Sequence, residues 1–265
     1  TISNVNQRRR YPSFRDVWGY TNDGAADYHA LQVTAVRRFA SGLQFNVNYV
    51  WSKALDKGDD VTEPWGRSGF DRQHSFAGTF LWEIPGSYAS RLFTHLLADW
   101  QVTSILRLAS GNPINIRNPF DSTMQGVKAG MPDITGPFRR LNPREVRTFQ
   151  MPHGQIVTGN FAFDPTIFRL VQPSSPAEAR IGNLGRNVFS GPGVNNIDLS
   201  LSKGFRVREP HRIDLRVDVQ NLLNHAQFNL PALQRVGDNF RLFQPGRVIR
   251  AFSPRQIQFY LRYSF

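Results

Sequence analysis

The side chains able to do chemistry are few and scattered. Asp71, Arg72 and His74 lie close together and offer a carboxylate, a guanidinium and an imidazole, the groups that acid–base work requires. They sit where a loop gives way to a strand, so the simpler reading is a salt-bridged start to that strand. Asp56, Asp59 and Asp60 supply the hard oxygen ligands calcium takes, without the full spacing of a calcium loop, and a solvated acidic turn is the expectation. The six His residues are widely separated, which disfavours a zinc centre. No G-x-x-x-x-G-K, G-x-S-x-G or H-E-x-x-H is present. Gly182, Gly185, Gly191 and Gly193 fall in a loop rather than between a strand and a helix, and read as turn glycines. With no Cys there are no disulfides, thiolate metal sites or cysteine nucleophiles. The expectation is a protein that is not an enzyme and holds no metal or cofactor. The candidate ligand contacts are Trp65 and Arg67 in one loop and Arg139 and Arg140 in a longer one. Exposed aromatics and Arg suit sugars or anionic compounds, and plain solvation would explain them as well.

The elements that must position these residues are strands. The last stretch sets the pattern: Ile257, Phe259, Leu261, Tyr263 and Phe265 alternate with Gln258, Tyr260, Arg262 and Ser264. One face is apolar enough for lipid and the other polar enough for water. The pattern recurs at Tyr28–Phe39, Leu43–Lys53, Gln73–Ile84, Asp99–Ser110, Asn195–Phe205 and Arg212–Leu222, with a weaker, shorter instance at Tyr11–Thr21. This gives about eight meandering antiparallel strands, each near the roughly 9–11 residues a tilted membrane strand needs. Leu92–Leu97 reads as a brief helical turn. Gly111–Val194, rich in Pro, Gly, Asn and Arg, loses periodicity; so long a loop is usually functional. Short extended pieces such as Asn160–Phe163 are expected within it, and Asn224–Pro254 reads as loop.

The connections alternate in length. Turns at Ala40–Gly42, Pro85–Ala98 and Arg206–Pro210 fall at one end of the strands, and the loops at Asn22–Asp27, Ala54–Arg72, Gly111–Val194 and His225–Ser253 at the other. Outer-membrane barrels sort short turns to the periplasm and long loops to the outside. No run of about 18 apolar residues exists, so no transmembrane helix is expected. The charges of Arg212, Asp214, Arg216 and Asp218 share one face, where a wet lumen would let them pair with neighbouring strands. The formal charge of +12 invites a nucleic-acid reading, but no helix-turn-helix, finger or RNP pattern accompanies it, and no nucleic-acid partner is expected. The chain opens on TISNVNQRRRYPSF without a signal-peptide pattern and reads as the middle of a longer protein.

Several strings resemble the barrel of Oar-like TonB-dependent transporters. They are YHALQVTAVRRFASGLQFNVNYVWSKALD, GFDRQHSFAGTFLWEIP, WQVTSILRLASGNPINI, IGNLGRNVFSGPGVNNIDLSLSKGF, VQNLLNHAQFN and PRQIQFYLRYSF, in the family's order and weakest at Asp121–Gln155. The resemblance implies an outer-membrane barrel of about 22 strands with a plugged lumen. Residues 1–265 would be its C-terminal portion, with the plug and N-terminal domains absent. Implied partners are outer-membrane lipid, an unidentified solute, and the TonB system acting through those missing parts. The alternation through Ile257, Phe259, Leu261, Tyr263 and Phe265 resembles the signal read by the outer-membrane assembly machinery. Two other readings stay open: a self-contained eight-stranded barrel acting as anchor or adhesin, and a basic soluble β-protein binding polysaccharide or nucleic acid. The terminal strand is expected to lack a partner at Phe14–Tyr20, leaving an open sheet.

Overall fold

Period-two alternation gives a strand two faces of different chemistry, and among the described residues seven long strands of this kind build the sheet. The computed structural model describes residues 7, 9–14, 19, 22–57, 64–86, 98–126, 130–229 and 244–265. Strands β1 (Ala26–Ala40), β2 (Leu43–Asp56), β3 (His74–Glu83), β4 (Gln101–Ala109), β5 (Val194–Arg208), β6 (His211–Gln220) and β7 (Gln256–Ser264) lie side by side in chain order. Each is antiparallel to the next. The two-residue strand Gly66–Arg67 adds to the end of β2.

The register carries one apolar face across the whole sheet. Phe45, Val47 and Tyr49 of β2 lie opposite Phe80, Gly78 and Phe76 of β3. Phe76 and Gly78 oppose Leu108 and Leu106 of β4, and Leu106 opposes Ile197 of β5. Leu199 and Leu201 oppose Val219 and Val217 of β6, which oppose Ile257 and Phe259 of β7. Ile213 and Leu215 meet Tyr263 and Leu261. A one-residue slip in any pair would turn that strand's apolar set to the other side. Lys203 interrupts this face. It is buried, donates to the Ala98 carbonyl at 2.5 Å and lies over the rings of Trp100 and Phe205. A long amine in an apolar band reaches in this way for the nearest polar group.

The opposite face carries Gln44, Asn46 and Asn48 of β2, Asp198, Ser200 and Ser202 of β5, and the charges of β6. Those charges pair along the strand, not between strands as expected. Arg212 Nε donates to Asp214 Oδ1 at 2.7 Å and Arg216 Nε to Asp218 Oδ1 at 2.8 Å. The residues directly opposite the two arginines are Arg206 and Ser264, and Ser202 and Tyr260, so no carboxylate faces them. The carboxylate two positions along the same face is the one within reach.

The tightest connections, Ser41–Gly42 and Glu209–Pro210, lie at one end of the sheet together with 84–100. Ser41 and Gly42 have φ of 51° and 76°, the pair of left-handed residues a two-residue hairpin turn needs. A Cβ at Gly42 would also lie 2.8 Å from the Glu83 carbonyl oxygen. Connections 57–73, 110–193 and 221–255 lie at the other end, as the alternation of lengths anticipates. Tyr11–Phe14 forms a turn closed by Phe14 N–H to the Tyr11 carbonyl, so that part of the expected first strand is not extended. The rest of Tyr11–Thr21 is mostly outside the described residues, as is the helical turn expected at Leu92–Leu97. Among the described residues the outer edges of β1 and β7 have no strand partner, and the sheet is open.

The expectation of an aperiodic loop at Gly111–Val194 is corrected. This insert holds most of the buried core. Ile114, Ile116, Met131, Phe163, Ile167, Phe168 and Leu184 form one cluster, and Met151, Val157 and Phe161 a second. The rings meet edge to face, Phe149 on Phe161 at 5.2 Å and Phe163 on Phe168 at 5.8 Å, or stack, Phe138 on Phe189 at 4.0 Å. Each fully buried Phe contributes roughly 1.5–3 kcal/mol. Short ribbons frame the clusters: Pro113–Ile114 with Phe189–Ser190, Asp133–Ile134 with Phe168–Arg169, and Val146–Gln150 with Ile156–Asn160. The segment 244–249, expected as plain loop, joins them. Ala162 N–H donates to the Gly246 carbonyl and Val248 N–H to that of Asn160. Gly246 has φ of 82°, and a Cβ there would lie 2.7 Å from the Phe163 ring.

Leu201 lies mid-strand on the apolar face between Val102 and Val217. If that face meets lipid, Leu201→Arg should cost about 2–4 kcal/mol in urea unfolding from lipid vesicles, and Ser202→Arg on the polar face far less. Equal costs would overturn the assignment of the two faces.

Candidate functional site: a cavity at the loop end of the sheet

The site begins with the contacts that fix the insert to the strand ends. Arg186, its side chain only 7% exposed, places Nη2 2.5 Å from Asp56 Oδ1, and its Nη1 donates to the Asp56 carbonyl at 2.9 Å. Asp56 is therefore an ion-paired residue at the end of β2 rather than part of a solvated acidic turn; Asp59 and Asp60 lie outside the described residues. Arg67 pairs with the buried Asp71 through Nε at 2.5 Å, and its Nη1 donates to Ser190 Oγ at 2.7 Å. Asp71 also accepts from Ala54 N–H at 2.7 Å, which makes it the salt-bridged strand start expected from the sequence. Asn187, left-handed at φ 55°, donates to the Arg67 carbonyl, and Arg72 Nε to Asn112 Oδ1. Breaking a buried ion pair by removing one partner costs about 3–5 kcal/mol, and Arg186–Asp56 and Arg67–Asp71 are both largely enclosed, each with one partner nearly buried.

A second set of contacts fixes the turn after β6. Asn221 is buried and left-handed; its N–H donates to Asp198 Oδ1 at 2.8 Å and its amide nitrogen to the carbonyls of His225 and Ser253. The Gln227 amide pairs with both backbone groups of Asn195, in the manner of one more strand residue. His225 and Phe228 are thereby held against the insert.

Between the insert and this turn lies a cavity of about 490 Å³. Phe138, Phe163 and Phe228 give it an aromatic wall, and Arg140, Arg144 and His225 its basic groups, with Asn142 and Ser190 beside them; among the described residues no Asp or Glu lines it. A pocket of this size with an apolar wall and a few convergent donors fits a small organic ligand. Two guanidiniums without a facing carboxylate favour an anionic group on that ligand. Of the candidates from the sequence, Arg140 lines the cavity, and Arg67 reaches its wall through Ser190. Arg139 is exposed beside it, its carbonyl accepting from Asp164 N–H. Trp65 is exposed next to the Gly66–Arg67 strand. Arg144 and His225 carried no signal beyond loop composition. Among the described residues no three His, Cys, Asp or Glu side chains converge as a metal site.

The candidate assembly residues Ile257, Phe259, Leu261, Tyr263 and Phe265 all lie exposed along β7 or at its end. Tyr263 stacks on His211 with 4° between the rings, and its hydroxyl meets His211 Nδ1 at 2.6 Å. At the loop end, Tyr49 and His74 make the same kind of pair, hydroxyl to Nδ1 at 2.8 Å. Aromatic side chains with polar tips at both ends of an apolar face form the girdles of a membrane barrel.

The insert also contains a pH-sensitive contact. Arg180 grips both carboxylate oxygens of Asp133 at 2.8 and 2.6 Å, and Asn183 N–H donates to Oδ1 at 3.0 Å. The Arg180 guanidinium is the main cause that holds the Asp133 carboxyl below its ordinary 3.8. A carboxyl depressed on folding contributes stability above its unfolded value and loses it as pH falls through the folded one. Hydrogen exchange in the Asp133–Ile134 and Phe168–Arg169 ribbon, corrected for intrinsic rates, should therefore accelerate below about pH 4. Asp133→Asn should exchange faster at neutral pH and lose most of that acid-dependent change.

The family model described as outer membrane beta barrel domain matches residues 1–258. Neither curated proteins nor solved structures return a match to the chain. The matched family accounts for the two-faced meander, its girdles and its sorted loops, and puts the protein in the bacterial outer membrane. The chain belongs to the family of outer membrane beta barrel domains.

Proposed function

We propose that the protein is a TonB-dependent, Oar-like receptor and transporter, and that residues 1–265 form the C-terminal part of its barrel. It is not an enzyme in this reading and uses no cofactor. The cavity carries the proposal: a site with Arg140, Arg144 and His225, walled by an insert with its own core, stands at the outer end of a barrel wall. A barrel that served only as an anchor would have no use for a cationic cavity there. Among the described residues β1 and β7 have open edges, which supports the incompleteness of the wall. Unpaired backbone groups in hydrocarbon cost several kcal/mol each, so further strands would have to close the barrel. The charged face of β6 would then line the lumen, facing a plug supplied by other parts of the protein, and TonB would act through those parts.

Uptake by cells carrying the full-length protein tests this reading. A panel of labelled anionic and neutral solutes should include at least one that enters only with this protein and only with functional TonB. Arg140→Ala combined with Arg144→Ala should lower its uptake about tenfold or more at unchanged surface level, from the loss of two charge-assisted contacts. TonB-independent entry would refute the transporter reading, and unchanged uptake by the double variant would refute the cavity's role.

The same reading assigns β7 to the outer-membrane assembly machinery, which would engage its unpaired edge and outward aromatics. Deletion of Phe265 should lower the folded, surface-exposed fraction in fractionated cells while secretion to the periplasm continues. Wild-type surface levels would argue against that role.

A further inference from the structure

The loop-end margin of the apolar face holds a second cleft, of about 660 Å³, unrelated to the cavity above. Its wall is built by β1, β2 and the segment 67–73. Two successive cross-strand pairs of one face line it, Leu31 with Trp51 and His29 with Lys53, and the pair Val33 with Tyr49 forms the next rung of that face below it. Residues two apart on a strand share a face. Moving toward the loop end, this face therefore passes from two rungs that each pair an aliphatic side chain with an amphipathic aromatic one to a basic rung. His74, opposite Trp51, and Arg67, opposite Leu55, extend the basic margin sideways. Lys53 and His29 are exposed, and among the described residues neither has a hydrogen-bond or ionic partner. The one carboxylate in the cleft wall, Asp71, is buried and already committed to Arg67 and to Ala54 N–H.

This order matches the outer part of a bilayer leaflet, in which an interfacial belt of apolar and aromatic contacts gives way to phosphate. We propose that the cleft seats a phosphate-bearing lipid of the outer leaflet. Its acyl chains lie along Leu31, Val33 and Trp51, and its phosphate meets Lys53, with His29 and Arg67 beside it. Charge complementarity selects the phosphate, and the apolar rungs directly below select a lipid over a soluble anion. Each basic side chain near a membrane surface contributes about fivefold to the binding of anionic lipid.

The test uses the full-length protein purified in mild detergent and titrated with bisphosphorylated lipid A, with retention read by native mass spectrometry. Wild type should retain one lipid that Lys53→Gln binds about fivefold more weakly, and Lys53→Arg should restore it. Lipid A stripped of its phosphates should not be retained at this position, and inorganic phosphate should not compete. Arg107→Gln, on the polar face, should leave retention unchanged. Equal retention by Lys53→Gln, or equal retention of dephosphorylated lipid, overturns the proposal. Displacement by inorganic phosphate alone would show a soluble-anion site and overturns it too. Because Lys53 is a solvent-exposed side chain away from the cavity, solute uptake by Lys53→Gln should remain, which separates this proposal from the transport reading.

Discussion

Hydrocarbon leaves a backbone amide no partner except another backbone group, and the architecture follows from that constraint. A meander of neighbouring antiparallel strands meets it with the shortest connections, because every strand finds its partner next in sequence. The same constraint fixes register. Once Leu199 and Leu201 must face lipid, Ser200 and Ser202 must face inward, and each neighbouring strand is locked to the same phase. Where cations occur on the lipid side near the turn end, at Lys203 and Arg37, each reaches a backbone carbonyl, so its charge is not left in the apolar band.

Stability is divided between two regimes. The sheet is held by backbone pairing and by its contact with lipid, and few of its side chains are fully buried. The insert is held as water-soluble proteins are, by buried Phe, Ile and Met, including all three methionines of the chain. The two regimes meet at a short list of polar contacts: Arg186 with Asp56, Arg67 with Asp71 and Ser190, Asn187 with the Arg67 backbone, and Arg72 with Asn112. These fix where the cavity sits over the strand ends without adding to the core of either part.

The sheet was legible because lipid and water impose period two over a full strand length. Leu43–Lys53 extends in the structure to Leu43–Asp56, and Asn195–Phe205 to Val194–Arg208; the added residues lie at the strand ends, where the alternation fades. The insert was not legible for the converse reason. Its ribbons are often only two residues long, too short to show any period, and its Phe and Met fall at irregular spacing among Pro and Gly. The anchors were hidden by distance, since Arg186 and Asp56 are 130 positions apart and each reads alone as a loop charge. Of the candidate ligand contacts, Arg140 belongs to the cavity, while Arg67 is engaged in holding the insert, a difference composition cannot express.

Gly246 turns its backbone into the insert against the Phe163 ring, and Phe161 bridges to Arg247 beside it. The segment 244–249 and the insert consequently pack as one piece, though a strand hairpin separates them in sequence. Such a piece carries its own core and meets the wall beneath through a short list of polar contacts at the strand ends. Its side chains answer to water and to each other, so their replacement leaves the register of the strands below untouched.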